Sequence, residues 1–347
     1  MKRLLLTILP ALFALTAFAQ QDRNEVPYQT KTFTGKLTAL RVETSGGGIT
    51  VEGSSRTDVK VELYVKANNY RNTLSQAEID ERLKQYEIVM RTEGNTVIAT
   101  AKNKNRDMDW KRSLNIAFRV YTPRQMATDL ETSGGGIRLS HLTGRQAFTT
   151  SGGGLSLDDL DGDLKGRTSG GGIQLTDCHS KASGDRIDLE TSGGGIEATN
   201  ASGPIRLETS GGGIRLRNLT GKINAGTSGG SVSGDGITGE LVTTTSGGGI
   251  RLMNVAGSLE ATTSAGSVDL EMTKLGDYLR LSTSAGSVRV KMPLSSGMNL
   301  DVSGDRVSMP LTNFNGTSEK DRVKGKLNGG GIPVAISASS GSVSVNQ

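Results

Sequence analysis

The chain is poor in the residues that staple or arm most exported domains. It has one cysteine in 347 residues, Cys178, so no internal disulfide can form. Stability must come from packing and backbone pairing instead. His141 and His179 are the two histidines. A zinc site needs three or four ligands, and no cluster supplies them, so both histidines read as surface or turn residues. Serine and threonine abound, but no His-containing triad is present to activate one. Aromatic residues make up 4% of the chain. That is too few for an ordinary globular core, and it leaves sugar-stacking platforms scarce. The formal net charge is +5. Losing Lys2 and Arg3 with a leader would leave 5 − 2 = +3, short of the basic excess of a nucleic-acid binder. Beyond residue 19 no apolar run is long enough to span a bilayer.

Lys2 and Arg3 precede an apolar run, Leu4 to Phe18, and Ala17-Phe18-Ala19 is a small-x-small cleavage signal before Gln20. Residues 1–19 therefore read as a secretory signal peptide. No Cys follows Ala19, which argues against a lipid-anchored lipoprotein. The mature chain is expected to be exported, to the periplasm, the outer surface or the medium. It should carry no integral membrane segment, no nucleic-acid partner and no cofactor.

Glycine is what the chain has in excess, at 48 residues. Much of it lies in one phrase, Thr-Ser-Gly-Gly-Gly-Ile, with Leu in place of Ile at 155. The phrase begins at Thr44 and returns at Thr132, Thr150, Thr168, Thr191, Thr209 and Thr245, with looser copies at Thr227, Thr263 and Thr283. From Thr132 to Thr263 the spacing is 18 residues, apart from one step of 23. A short fixed period is the mark of a solenoid, whose units bury their apolar faces against their neighbours. With the Thr as zero, apolar residues recur at −4, −2, +5, +7 and +10. The pattern gives two period-2 strands per repeat, one ending near the Thr and one starting near +4. The triple Gly makes one tight corner, through positive φ or close backbone approach. A Gly near +12 marks the opposite corner. Like positions should stack, Thr-Ser over Thr-Ser, with hydroxyls bonding along the ladder.

Residues 20–55 read as a loose tail and a first rung, the rung spanning Thr32 to Val51. Residues 56–125 break the pattern. Asp58 to Lys66 alternates as a strand does. Ser75-Gln76-Ala77-Glu78 is a capping box ahead of a helix. Glu87 to Ala101 reads as a hairpin around Glu93-Gly94-Asn95, and Ser113 to Tyr121 as another strand. This strand–helix–hairpin–strand module, which holds Trp110, is expected to cap the solenoid's first end. Residues 126–292 are the regular solenoid. In 293–347 the echoes Asn328-Gly329-Gly330-Gly331-Ile332 and Ala338 to Val343 predict irregular rungs closing the second end. The fold expected is mainly β: a right-handed parallel β-solenoid of about 18 residues per rung, with a small α+β module near the N-terminus.

These residues together resemble the bacterial putative adhesins with β-strand repeats, a domain family of unknown function. The resemblance covers nearly all of the mature chain. Where that family often has Asp after two Gly, this sequence usually has a third Gly, so an acidic ladder is missing. The resemblance implies a right-handed parallel β-solenoid and export, and it brings no catalytic residues.

Other motifs fall away on mismatch. A phosphate loop needs Lys-Ser/Thr after its glycines and a helix behind them. Calcium nonapeptide repeats need an Asp that no rung supplies. Asp158, Asp159, Asp161 and Asp163 crowd one turn and could offer oxygens to a hard cation, but Lys165 and Arg167 are near and the spacing is not that of an EF-hand loop, so the turn reads as a solvated one. Outward +6 positions carry Arg138, Glu197, Arg215, Arg251, Asp269 and Arg289. Glu197 with Arg215, and Arg251 with Asp269, stand one rung apart and suit cross-strand pairing. This polar face is the candidate binding surface for a cell-surface, matrix or glycan partner. The function expected is that of an exported non-catalytic adhesin-like, structural or binding protein. A carbohydrate-active β-helix enzyme is one alternative, although it would need paired carboxylates in a groove built by long loops, and these turns are short. A periplasmic envelope-stress or regulatory partner is another.

Overall fold

The computed structural model describes residues 26–68, 74–104 and 113–347. The leader read at 1–19 and Trp110 lie outside the described residues. Among the described residues the chain is mainly β, with 27 strands joined in one continuous sheet and one helix, Gln76–Leu83. Strands of successive repeats pair in parallel, like over like. Ile214 lies opposite Val232, Leu219 opposite Ile237 and Thr227 opposite Thr245, and the next pair of strands repeats the register.

The alternation written in the repeat explains the solenoid-like core. All nine residues at +5 in the repeats from Thr132 to Thr283, from Ile137 to Val288, are at most 2% exposed. The +7 and +10 positions, such as Leu216 and Leu219, are buried with them. At roughly 25 cal/mol per Å² of apolar surface, these narrow stacked columns supply the main driving force for folding. Charged and polar residues at +6 and +8 are left facing out.

Two kinds of corner turn the chain. In the Thr-Ser-Gly-Gly-Gly corner the glycines are needed because adjacent windings touch. A Cβ on Gly212 would lie 2.2 Å from the carbonyl oxygen of Gly194. At the +12 corner the need is conformational as well, as at Gly221, with φ of 127°. A third bend, at +9, is taken in the left-handed region by His141, Asp159, Asp177, Asn200, Asn218 and Asn254. Asn and Asp tolerate that conformation better than other side chains.

The threonine that opens each phrase points inward and is buried. The stacked hydroxyls bond along the ladder as expected, and their partners are backbone carbonyls. From Thr132 onward each Thr Oγ1 donates to a glycine carbonyl of the preceding copy, Thr209 to Gly194 and Thr227 to Gly212, both at 2.7 Å, while Thr44 donates to the Ile116 carbonyl. From Thr132 to Thr245 the Thr Oγ1 also accepts from the amide of its own third following residue, as from Gly212 to Thr209 at 3.3 Å. The physical reason is local. The corner leaves backbone groups unpaired inside the protein, and a buried unpaired amide or carbonyl costs about 1–3 kcal/mol.

The N-terminal module joins the same sheet. The helix carries the expected capping box, with Ser75 and Glu78 bonded reciprocally. Tyr86–Glu93 and Thr96–Asn103 form the hairpin. Its second strand runs parallel to Ala39–Thr44, and Leu114–Pro123 runs parallel to Ile49–Ser54. The first rung starts later than expected. Gln29–Phe33 is an antiparallel partner of Val59–Ala67 and not part of the winding, because Phe33 alone of its residues is buried.

At the other end spatial order departs from chain order. The echo at 338–343 is a true copy of the corner. Its strands Ile332–Ala338 and Ser342–Asn346 pair in parallel with Val268–Thr283 and Val288–Lys291. Met298–Ser303 pairs outside them, followed by Arg322–Leu327 and then Phe314–Ser318. The last residues of the chain are thus tucked inside, and residues 298–327 form the outer edge.

Candidate functional site

The six outward residues picked from the sequence fall in one column, because each sits one residue after a buried +5 position. Their spacing along it is uneven. Arg138 lies near the first end, between Thr50 and Ser156. Glu197 and Arg215 are neighbours, with Ser233 following. Arg251, Asp269 and Arg289 are consecutive.

Both expected cross-rung pairs are present but long: Arg215 to Glu197 at 3.9 Å and Arg251 to Asp269 at 3.6 Å. Shorter contacts run to other residues. Arg217 reaches Glu197 at 3.1 Å, and Arg289 reaches Asp269 at 3.0 Å. The next column, at +8, was missed in the sequence reading. It adds Arg217, Met253, Glu271 and Lys291, with Lys291 to Glu271 at 3.2 Å. The signal was available, since a strand period of 2 that turns +6 outward turns +8 outward too.

These two columns bound a shallow hollow of about 300 Å³. Arg251, Met253, Asp269, Glu271, Arg289, Lys291 and Asn346 line it, over a floor of Leu252, Leu270 and Val290. The cations stand proud, with side chains 61–71% exposed, while Asp269 and Glu271 are sunken at 31–35%. Exposed pairs of this kind contribute under about 1 kcal/mol each, so a ligand anion can draw the cations away at little cost. Met253, 45% exposed, adds a soft apolar contact at the rim.

The acidic turn is occupied by the protein's own cations. Asp159 accepts from Arg124 at 2.8 Å and lies 2.8 Å from His141 Nδ1. The His141 hydrogen bond, aided by Arg124 and opposed by partial burial, holds the Asp159 carboxyl below its usual range. Asp161 Oδ1 lies 3.1 Å from Lys181 Nζ, near enough for an ion pair though not aligned as a hydrogen bond. Among the described residues no group of three or more His, Cys, Asp or Glu is arranged to hold a metal ion. His179 bonds Ser202 Oγ at 2.8 Å. Cys178 is buried, and desolvation pushes its thiol up to about 12, so it is inert as a nucleophile at neutral pH.

The repeats and the module before them fall within a single family match that spans residues 37–346, to the Toastrack DUF4097 model. The chain belongs to this family. Three solved structures align with the Toastrack chain over most of their length. A "putative cell adhesion protein" from Clostridium sporogenes is 11% identical, over 93% of this chain and 100% of that one, with a TM-score of 0.20. A "putative lipid binding protein" from Parabacteroides distasonis is 13% identical, over 93% and 98%, with a TM-score of 0.32. A "putative adhesin" from Bacteroides fragilis is 10% identical, over 92% and 97%, with a TM-score of 0.24. At those scores the alignments add nothing about the ligand. Comparison with curated proteins returned no match. Among the described residues no helix is long and apolar enough to cross a membrane, which says nothing of strands.

Proposed function

We propose that this Toastrack chain is an exported, non-catalytic binding protein of the cell envelope or its surface. In this reading a right-handed parallel solenoid of about 18 residues per rung holds the +6 and +8 columns flat toward a glycan or surface partner. Residues 1–19 serve as the export signal. Arg138, Glu197, Arg215, Arg251, Asp269 and Arg289 belong to the binding face, with Arg217, Glu271 and Lys291 beside them. The observation that carries the proposal is the hollow in which three exposed cations surround two sunken carboxylates and an exposed methionine. Three cations against two carboxylates leave one unit of positive charge, which favours an acidic polysaccharide over a neutral one.

The test is binding of the purified mature chain to immobilised polygalacturonate, compared with neutral amylose. Arg251→Glu/Arg289→Glu should weaken binding to the acidic polymer at least tenfold. Arg206→Glu, on the other strand column, should leave it within twofold. Equal losses from both variants, or equal affinity for both polymers, would refute the assignment of the face. Turnover of a polysaccharide that one carboxylate substitution abolishes would refute the non-catalytic reading.

A further inference from the structure

The two ends of the sheet are finished differently, and the difference identifies a docking edge. Among the described residues the outermost strands at the N-terminal end are Tyr86–Glu93, which pairs as a strand with Thr96–Asn103, and Gln29–Phe33, which pairs with Val59–Ala67. Both are guarded by charge. Glu87, Arg91 and Glu93 line the first, and Lys31, from the middle of the second, donates to the Met90 carbonyl at 2.6 Å. Charged side chains on an edge are the usual defence against strand addition.

The far end lacks that defence. Phe314–Ser318 pairs on one side only, antiparallel to Arg322–Leu327. Its residues Asn315 to Ser318 are all exposed, and none of its five residues is charged. The Asn313 carbonyl accepts from Asn328 at 2.9 Å, and the Glu319 amide donates to Arg322 at 2.7 Å. Odd-numbered residues therefore spend their backbone groups on the neighbouring strand. Phe314, Gly316 and Ser318 turn theirs to the open side. The Phe314 ring lies over Gly316 and Gly325. A Cβ on either would meet it at 2.8–2.9 Å.

We propose that this edge pairs with the same edge of a second copy, antiparallel, with Gly316 on a two-fold axis. The geometry is self-complementary. Gly316 faces Gly316 of the partner, Phe314 faces Ser318, and about six backbone hydrogen bonds close the junction. No charge on one strand meets a like charge on the other. Head-to-tail stacking is blocked by the guarded N-terminal edge, which leaves the closed two-fold arrangement. A five-residue strand is about 17 Å long, and its pairing buries less than the ~1,200 Å² of a stable interface. The dimer is therefore reversible, with a dissociation constant of ~10 μM or weaker.

Sedimentation of the mature chain over about 1–500 μM tests this, a range set by that affinity. The wild type should shift from monomer to dimer. Ser318→Pro removes an amide that faces the open side, at an edge position where proline is tolerated. It should raise the dissociation constant at least tenfold while the circular dichroism spectrum stays unchanged. If that variant does not fold, Asn315→Lys/Thr317→Lys supplies the missing guard and should have the same effect. A wild type that stays monomeric throughout overturns the proposal, even if some other envelope protein is retained on the edge. So does a folded variant that dimerises as well as the wild type.

Discussion

The buried corner of each winding and the outward face one residue beyond its +5 position behave in opposite ways. At the corner ten threonines from Thr44 to Thr283 make the same buried hydroxyl contact to a backbone carbonyl one winding away. On the face the +6 residue changes from Arg to Ser to Gln to Glu along the same rod. Repetition marks the places where each winding meets the same physical demand. Variation marks the places where the fold demands only solubility, and there a binding surface can be written. The two regions should therefore differ sharply in what substitution does to them.

The largest effect should come from the core that both regions rest on. Ile214→Asp buries an unpaired charge at a site 1% exposed and should cost ~4 kcal/mol or more, seen as loss of the thermal transition or rapid proteolysis. An unchanged melting curve would overturn the core assignment. Gly212→Ala comes next. Its methyl would stand 2.2 Å from the Gly194 oxygen, whereas one on Gly211 would stand 3.2 Å from the Gly193 oxygen. We expect about 3 kcal/mol for Gly212→Ala by urea denaturation, and clearly less for Gly211→Ala. Similar values for the two would mean that close approach does not explain the corner.

Thr209→Val should cost about 1–3 kcal/mol, because the Gly194 carbonyl and the Gly212 amide both lose a partner inside the protein. Thr209→Ser should recover most of it, which separates the hydroxyl from the shape. The smallest effect belongs to the outward bend. Asp159 titrates below its usual range in the folded chain, so its contribution is present above about pH 4 and fades as pH falls through the lowered value. Asp159→Asn should melt slightly lower than the wild type at pH 6, and the gap should close below pH 3. A gap that widens in acid would contradict the Arg124 and His141 pairing.

Much of this architecture was legible in the sequence because the period is short and the core positions repeat. The +5, +7 and +10 residues and the +12 glycine could be read from spacing alone. The capping box and the hairpin turn likewise announce themselves locally. The threonine contact was legible only in part. Stacking of like residues follows from the period, but its bond to a glycine carbonyl depends on how closely two backbones approach. The bend at +9 left a trace, His, Asp, Asp, Asn, Asn, Gly and Asn in successive copies, that reads clearly once left-handed backbone is looked for. The inserted position of the last strands left none, because a copy of the corner looks the same wherever it stacks. On the face, the sequence offered the +6 column and its two cross-rung pairs but not the shorter contacts, since the choice between Arg215 and Arg217 as partner of Glu197 is made by side-chain reach.

The stacking register is the claim on which both regions depend, and paired cysteines measure it directly. Thr244 and Thr262 are exposed and lie opposite one another, whereas Thr244 and Glu260 are two residues out of step. Thr244→Cys/Thr262→Cys should form an intramolecular disulfide under mild oxidation, while Thr244→Cys/Glu260→Cys should not. Cross-linking of the out-of-step pair in preference to the matched pair would contradict the register, and with it the account of the corner and the face.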